Sequence, residues 1–405
     1  MKVAIIHEWL SVVAGSEKVL AELLDMFPEA DLFAVVDFLE PSARDFLCGK
    51  FVTTSFIQKL PGARRWFRHY LPLMPLAVEQ FDFSPYDLVL SSSHAVAKGI
   101  ITGPDQVHIS YIHSPMRYAW DMQHEHLRES TLGRGLKGWI TKWLLHRLRT
   151  WDVRTAHGVD AMVANSEFIA RRIKKIYGRD AEVVYPPVDI SAFGLHESKE
   201  EFYLTVSRMV PYKRVELIVE AFAGMQDKKL VVIGDGPSMK AVRTKAAINV
   251  EIKGYQPFER LLRYMQRARA FVFAAEEDFG IALVEAQACG TPVIAFGRGG
   301  ALETVHGLET CQPTGIFFDR QEPECLRQAV ARFEANRHRF SSTACRANAE
   351  NFSRGRFRQE MTNVITREMA RLNAFRPSTN HRMEYPGDSR IANVQSIDGH
   401  RPAAT

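Results

Sequence analysis

The sequence predicts an α/β protein with two parallel-sheet domains. Short apolar runs alternate with segments of helical periodicity, which is the pattern of strand–helix units. The runs fall into two series, divided by the segment Tyr-Pro-Pro-Val-Asp at 185–189. Because two prolines favour an extended linker, we place the boundary there. We expect an N-terminal domain at 1–185 and a C-terminal domain at 186–352.

The first series of apolar runs predicts the strands of the N-terminal domain. His7 and Glu8 interrupt the first of these runs, and helices are expected to begin near Ser16 and Ser166, since serine is a favoured helix N-cap. The predicted strands cover 3–6, 32–36, 88–91, 108–112 and 161–164.

The second series predicts the sheet of the C-terminal domain. A further helical segment covers 353–376, and 377–405 is rich in Pro, Ser, Asn and Gly, which predicts a disordered tail. Strands are expected at 202–206, 230–233, 271–274 and 292–295, and helices begin near Lys213, Ser238, Phe258 and Gly280.

The composition is that of an ordinary soluble enzyme-sized chain. Of its 405 residues, 46% are hydrophobic and 24% are charged, and the formal net charge is +5. The five cysteines show no paired spacing, which favours a reducing compartment and predicts neither a disulfide framework nor a zinc site. No secretory signal or membrane span is visible, and nucleic acid is not an expected partner.

Two carboxylates mark the strongest candidate site. Glu277 and Glu285 flank Gly280, where a buried apolar run gives way to a predicted helix. Such a turn directs free backbone N–H groups and the positive end of the helix dipole at a bound phosphate. With a carboxylate on either side for hydroxyl groups, the site suits a nucleotide-sugar. The alternative is that Glu285 is a core carboxylate paired with a structural arginine.

Two cations follow the first strand of the C-terminal domain. Arg208 and Lys213 lie at the carboxyl end of this strand, the edge at which open α/β sheets bind ligands. Together they would offset the charge of a diphosphate, although a solvated surface loop is the alternative. The segment Gly-Asp-Gly-Pro at 234–237 resembles the start of a dinucleotide fingerprint, but Met239 replaces its third glycine. We interpret this segment as a loop near the nucleotide.

The N-terminal domain offers three further candidates. Gly15 permits close approach of the backbone, and Ser16 is expected to cap the first helix, so this loop is placed near a phosphate across the cleft. His113 follows a predicted strand and precedes a polar and aromatic run, which favours a ligand site over a satisfied core histidine.

The candidate site residues above, together with several further short runs, resemble glycosyltransferase family 4 over most of the chain. In the N-terminal domain the similarity extends to bacterial mannosyltransferases of O-antigen and exopolysaccharide assembly. The runs are Ser207-Arg208 with Lys213, Gly254-Tyr255, residues 277–280 with Glu285-Ala286, residues 290–294, Gly299-Gly300, residues 7–10, residues 15–18 and residues 113–120.

This resemblance implies a GT-B fold, in which two Rossmann-like domains face each other and the donor binds between them. The helix at 353–376 would cross back to the N-terminal, acceptor-side domain. The family implies that Arg208 and Lys213 stabilise the departing diphosphate, and that Glu277 and His113 contact the transferred sugar. It also implies backbone donors at Gly280 and Ile281 and a ribose contact from Glu285, with Gly15 and Ser16 near the donor phosphates. Ala14 stands where many members have a second glycine.

The expected activity is retaining glycosyl transfer without a cofactor, from a nucleotide-sugar, GDP-mannose above all, to a lipid-linked glycan. No Asp-x-Asp pair is present, so no metal site is expected, and protein cations would stabilise the leaving group. The alternatives are a GT-B sugar-nucleotide epimerase, which needs no acceptor, and a non-catalytic nucleotide-sugar-binding scaffold at a membrane.

Basic and aromatic residues alternate at 64–68 and 136–151. Leu136, Trp139 and Trp143 recur there at helical spacing, as do Lys142 and Arg149, and a basic helix with an aromatic face suits an anionic membrane surface. We therefore expect a cytoplasmic protein bound peripherally to the inner face of the plasma membrane. The alternative is a solvated helix whose tryptophans pack into the domain.

Overall fold

The computed structural model describes residues 1–124, 127 and 135–375, and two parallel sheets form its framework. The expected tail at 377–405 lies outside the described residues. The first sheet has the order β3-β2-β1-β4-β5-β6-β7 and is built from Val3–Leu10 (β1), Asp31–Asp37 (β2), Val52–Thr54 (β3), Leu88–Ser93 (β4), Val107–Ile112 (β5), Ala161–Ala164 (β6) and Glu182–Val183 (β7).

Helices connect these strands and cover both faces of the sheet. Ser166 caps the helix after β6, because its Oγ accepts from the Ile169 N–H at 3.1 Å. The α-helices of this domain include Gly15–Met26 (α1), Ala63–Trp66 (α2), Met74–Glu79 (α3), Gly135–Ala156 (α4) and Glu167–Tyr177 (α5).

The second sheet has the order β10-β9-β8-β11-β12-β13. Its strands are Phe202–Val206 (β8), Lys229–Ile233 (β9), Val250–Gly254 (β10), Ala270–Phe273 (β11), Val293–Phe296 (β12) and Gly315–Phe318 (β13). Its helices are Val215–Ala223 (α6), Met239–Lys245 (α7), Phe258–Arg267 (α8), Ile281–Ala288 (α9), Ala301–Thr304 (α10), Pro323–Ala335 (α11) and Ser342–Glu350 (α12).

The prediction that the two series of apolar runs form separate parallel sheets is confirmed, with one instructive error in β1. His7 and Glu8 do not interrupt this strand, because both side chains are fully buried and hydrogen-bonded within the domain. The sequence also missed edge strands, which are short or only partly buried and so lack a continuous apolar run. These are β3, β7, β10 and β13.

The last described helix, Arg354–Phe375 (α13), packs against the first sheet although it follows the second in sequence. Phe357, Met361 and Val364 are buried in the same apolar cluster as the residues of β1 and α1. Arg354 and Arg358 form ion pairs with Glu22 and Asp25 of α1. The chain thus crosses between the two units twice, and α13 ties them together.

Candidate active site

The carboxyl ends of the two sheets face each other across a cleft between the domains. Helix α1 contacts α9, and the segments that follow β5 and β6 contact the loop after β11. Gly15 lies so close to Ile281 that a Cβ atom on it would stand 3.2 Å from the Ile281 Cδ1. Groups from both domains therefore reach one space at this edge, where ligands of α/β sheets bind.

The turn before α9 exposes backbone donors toward the cleft. Gly280 has φ 92°, a left-handed conformation that strongly favours glycine, and it is the N-cap of α9. The carbonyl of Glu277 accepts from the Gly300 N–H at 2.8 Å, which fixes the loop that leads into this turn. Ile281 is the first helical residue, so its N–H belongs to the donors that have no partner within the helix.

Lys213 and Glu277, predicted from separate motifs, form an ion pair in the cleft. Lys213 Nζ donates to Glu277 Oε1, and the two side chains are only 19% and 17% exposed. The ammonium group also lies 5.4 Å from the centre of the Phe273 ring. A cation and a carboxylate are thus held together at the ends of β8 and β11.

Glu285 is paired with a cation of the opposite domain. Lys18 Nζ donates to Glu285 Oε1, and the carboxylate is 12% exposed while the lysine is 45% exposed. The alternative of a structural arginine is therefore wrong. The expectation that Ser16 caps α1 is also wrong: Ala14 is the N-cap, its N–H donates to Glu17 at 2.8 Å, and Ser16 Oγ donates to the same carboxylate at 3.0 Å.

Arg208 lies on an exposed loop whose backbone is fixed by the glycine segment at 234–237. The Met209 N–H donates to the Asp235 carbonyl at 2.8 Å. Gly234 has φ 133°, and a Cβ atom there would stand 1.9 Å from the Ser207 carbonyl oxygen. The glycine segment therefore supports the loop that carries Arg208. From the other domain Arg68 faces Arg208, and its burial, together with this like charge, lowers the pKa of Arg68.

His113 belongs to a buried chain of polar side chains in the N-terminal domain. Its Nε2 lies 2.8 Å from Ser92 Oγ, Ser92 Oγ lies 3.0 Å from His7 Nδ1, and His7 Nε2 lies 3.4 Å from Glu17 Oε1. Burial, reinforced by His94 and His7, holds the pKa of His113 well below its usual value. Burial alone would raise the pKa of Glu17, but the hydrogen bond from His7 and the backbone N–H of Ala14 lower it to about 2.

Glu8, on the opposite side of β1 from His7, organises the loop after β4. Its carboxylate accepts the Ser93 hydroxyl and the backbone N–H groups of 94–97, at 2.7 to 3.0 Å. Burial would raise the pKa of Glu8, but the charge of His94 and the backbone donors lower it. No local pattern around Glu8 indicates this role, because the donors lie 85 or more residues away.

A second interdomain contact joins Asp278 to the N-terminal domain. Arg117 and Arg172 both form ion pairs with its carboxylate, and Ser166 Oγ donates to its carbonyl at 2.5 Å. Glu303 of α10 accepts from the Glu167 N–H at 2.7 Å, so the C-terminal domain caps α5. Arg117 and Asp278 lie within runs that carry the family resemblance, whereas no pattern pointed to Arg172 or Glu303.

Helix α4 divides into an outward and an inward part. Leu136, Trp139 and Trp143 are 75%, 67% and 50% exposed. Trp151 instead donates to Glu79 at 2.7 Å, and Arg149 donates to the Ala119 carbonyl at 2.9 Å. The expectation that Arg149 belongs to the same basic face as Lys142 is therefore wrong, because Arg149 and Trp151 hold α4 against the domain.

Nothing within 1–124 or 135–375 is both helical and apolar over a length sufficient to cross a membrane. In the same part of the chain no group of three or more His, Cys, Asp or Glu side chains is placed to hold a metal ion.

Two protein-family models match the chain in series. The model described as Glycosyltransferase Family 4 matches residues 13–192, and that described as Glycosyl transferases group 1 matches residues 189–352. Together the two matches extend over residues 13–352 and show that the chain belongs to glycosyltransferase family 4.

Curated relatives are similar over part of their length. The D-inositol 3-phosphate glycosyltransferase of Segniliparus rotundus is 30% identical over 201 residues, which are 42% of this chain and 44% of that protein. The GDP-mannose-dependent monoacylated alpha-(1-6)-phosphatidylinositol monomannoside mannosyltransferase of Corynebacterium glutamicum is 29% identical over 178 residues, 36% of this chain and 47% of that protein. The chain thus spans about half the length of these relatives.

Among solved structures, HepE of Anabaena in complex with UDP superposes with a TM-score of 0.65 at 16% identity, over 91% of this chain and 100% of that one. At this identity the likeness concerns the fold, and it confirms the predicted GT-B architecture.

Proposed function

We propose that the chain is a retaining glycosyltransferase that moves mannose from GDP-mannose to a lipid-linked glycan in bacterial surface polysaccharide assembly. The observation that carries the proposal is the pairing of Lys213 with Glu277 beside the Gly280 turn, with Glu285 on the same helix. Both side chains keep some exposure at the cleft, so each can exchange this ion pair for contacts with a ligand.

In the proposed reaction the C1–O bond to the nucleoside diphosphate breaks as the anomeric carbon gains oxocarbenium character. The acceptor hydroxyl attacks from the same face, the new C1–O bond forms, and its proton passes to the leaving phosphate. Arg208, Lys213 and the backbone N–H groups at the start of α9 would stabilise the developing phosphate charge. Glu277 and His113 would hold hydroxyls of the sugar, and Glu285 those of the ribose.

The choice of donor rests on relatives. The Corynebacterium glutamicum relative is named as GDP-mannose-dependent, whereas HepE was solved with UDP. The test is a donor screen that follows the release of nucleoside diphosphate, with a bacterial membrane extract as acceptor. We expect release from GDP-mannose that requires the extract. If UDP-glucose were turned over and GDP-mannose were not, the mannose assignment would be overturned. Epimerised sugar formed without extract would indicate an epimerase.

We also propose that the outward face of α4 binds an anionic membrane, which would bring the enzyme to its acceptor. Lys137, Lys142 and Arg147 are exposed on this helix beside Trp139 and Trp143. Each such cation contributes about 1 kcal/mol near an anionic surface, and salt screens this contribution.

Co-sedimentation with vesicles tests this face. Replacing Lys137, Lys142 and Arg147 with Gln should abolish binding to anionic vesicles. The matched control replaces three exposed cations of α7, which are Lys240, Arg243 and Lys245. Equal binding to neutral and anionic vesicles, or an equal loss in the control, would contradict the proposal.

A further inference from the structure

The buried chain from Glu17 to His113 determines more than the position of the histidine. His7 and Ser92 are partners in the parallel register of β1 and β4, so their side chains project to the same side of the sheet. His7 and Ser92 are fully buried, and Glu17 is 4% exposed. Each link is a hydrogen bond whose direction depends on the neighbouring link, because a hydroxyl has a single proton to donate.

The direction of the chain follows from its carboxylate end. An ionised carboxylate only accepts, so the proton on His7 must lie on Nε2, which faces Glu17. The separation of 3.4 Å exceeds that of a charge-assisted pair, and Ala14 and Ser16 already donate to the same carboxylate. When His7 carries this single proton on Nε2, its Nδ1 accepts.

The donors and acceptors of the other two hydrogen bonds then have one consistent arrangement. Ser92 donates its only proton to His7 Nδ1, so toward His113 its oxygen accepts. His113 must carry its proton on Nε2, and its Nδ1 is left with a free lone pair. Among the described residues, His113 Nδ1 has no hydrogen-bond partner.

We propose that Glu17, His7 and Ser92 are positioning residues that fix His113 as the Nε2–H tautomer, so that Nδ1 accepts a hydrogen bond from a ligand hydroxyl. The ligand part rests on the proposed function, in which this hydroxyl belongs to the transferred sugar. A neutral acceptor here would select a hydroxyl donor and would add no positive charge beside the developing oxocarbenium ion. This complements Glu277, which faces the cleft from the other domain.

The tautomer of His113 can be determined by NMR, without an activity assay. In ¹⁵N-histidine-labelled full-length protein, long-range ¹H–¹⁵N correlation spectra distinguish Nδ1–H from Nε2–H, and the signals of His113 are those that disappear in His113→Gln. We expect His113 as the Nε2–H form in the wild type. Ser92→Ala should convert it to a mixture of tautomers, and Ser92→Thr, which keeps the hydroxyl, should restore the wild-type form.

Ser91→Ala is the matched control. Ser91 is the preceding residue of β4, is equally buried, and lies 2.8 Å from His108 Nε2 on the other face of the sheet. The signals of His113 should not change in this variant. An Nδ1–H tautomer in the wild type, or signals unaffected by Ser92→Ala in protein that unfolds at the wild-type temperature, would overturn the proposal. If Ser92→Ala fails to fold, Ser92→Cys replaces it, since a thiol is a weaker donor and acceptor.

Kinetics test the ligand part. Ser92→Ala should lower kcat/KM for the donor about tenfold, the value of one good hydrogen bond, and Ser92→Thr should recover it. Unchanged kcat/KM with an altered tautomer would overturn the role toward the ligand. A wild-type protein that turns over no donor would instead overturn the proposed function, while the spectra alone would still decide the tautomer.

Discussion

The two sheets differ at the edge formed by the carboxyl ends of their strands, where both face the cleft. At this edge the C-terminal sheet carries its charged groups on turns, whereas the N-terminal sheet carries them inside strand β1. Lys213 and Glu277 follow β8 and β11 and retain some exposure, while His7 and Glu8 are fully buried and bonded to β4 and the loop behind it. A group on a turn is free to exchange its partner for a ligand. A group inside a strand is held by the sheet, and it positions others.

The comparison predicts different losses on the two edges. On the C-terminal edge, Lys213→Ala should lower kcat by about 100- to 1000-fold, the usual cost of one donor that stabilises developing charge. The melting temperature should change little, because the ion pair with Glu277 is partly exposed. Steady-state assay with the active donor and thermal unfolding measure the two effects. Lys245→Ala, which removes an exposed pair with Glu220, is the control, and an equal loss of kcat there would refute the assignment.

On the N-terminal edge the larger loss should be in stability. Glu8→Gln leaves the shape nearly unchanged, but its amide cannot accept from all five donors and presents N–H groups to some of them. We expect the free energy of unfolding to fall by about 4 kcal/mol, as when a buried charged network loses one member. Urea unfolding measures this value. A loss below about 1 kcal/mol would show that the charged groups of the N-terminal edge contribute no more to stability than those of the C-terminal edge.

The pH dependence of stability sharpens the same contrast. Since the pKa of Glu17 falls from the model-compound value of 4.5 to about 2 on folding, ionised Glu17 stabilises the protein above pH 4.5. This stabilisation, up to about 3 kcal/mol, is lost as the pH falls from 4.5 toward 2. Glu17→Gln should remove that part of the acid destabilisation in urea titrations. Glu29→Gln, at an exposed site, should leave it intact.

The smallest effect is expected where the two edges meet. Asp278→Asn removes the carboxylate that pairs with Arg117 and Arg172, and it leaves two arginines facing each other. The cost should be about 1–2 kcal/mol, and small-angle scattering should show a larger radius of gyration as the domains separate. Asp180→Asn breaks an exposed pair with Lys174 and should change neither quantity. An unchanged radius in Asp278→Asn would mean that the remaining contacts, among them α13 and the Lys18–Glu285 pair, are enough to hold the domains together.

The difference between the edges also explains which of the candidate site residues local sequence patterns can indicate. Arg208, Lys213, Glu277 and Glu285 lie on short turns and one helix beside apolar runs, so local pattern located them. His113 was found because it follows a strand. Ser92 and Glu17 were not singled out as site residues, because a serine in a buried strand and a glutamate in a first helical turn are common features with ordinary explanations.

The amino-acid sequence by itself determined the alternation of strands and helices, their division between two parallel sheets and the family, because these depend on local periodicity and on motifs with fixed spacing. It did not determine the edge strands, the continuation of β1 through His7 and Glu8, or the partner of Glu285. Those depend on hydrogen bonds and ion pairs between residues separated by 85 positions for His7 and Ser92 and by 267 for Lys18 and Glu285. A polar side chain is stable in a core only when its partners are in place, and only the tertiary structure brings them there.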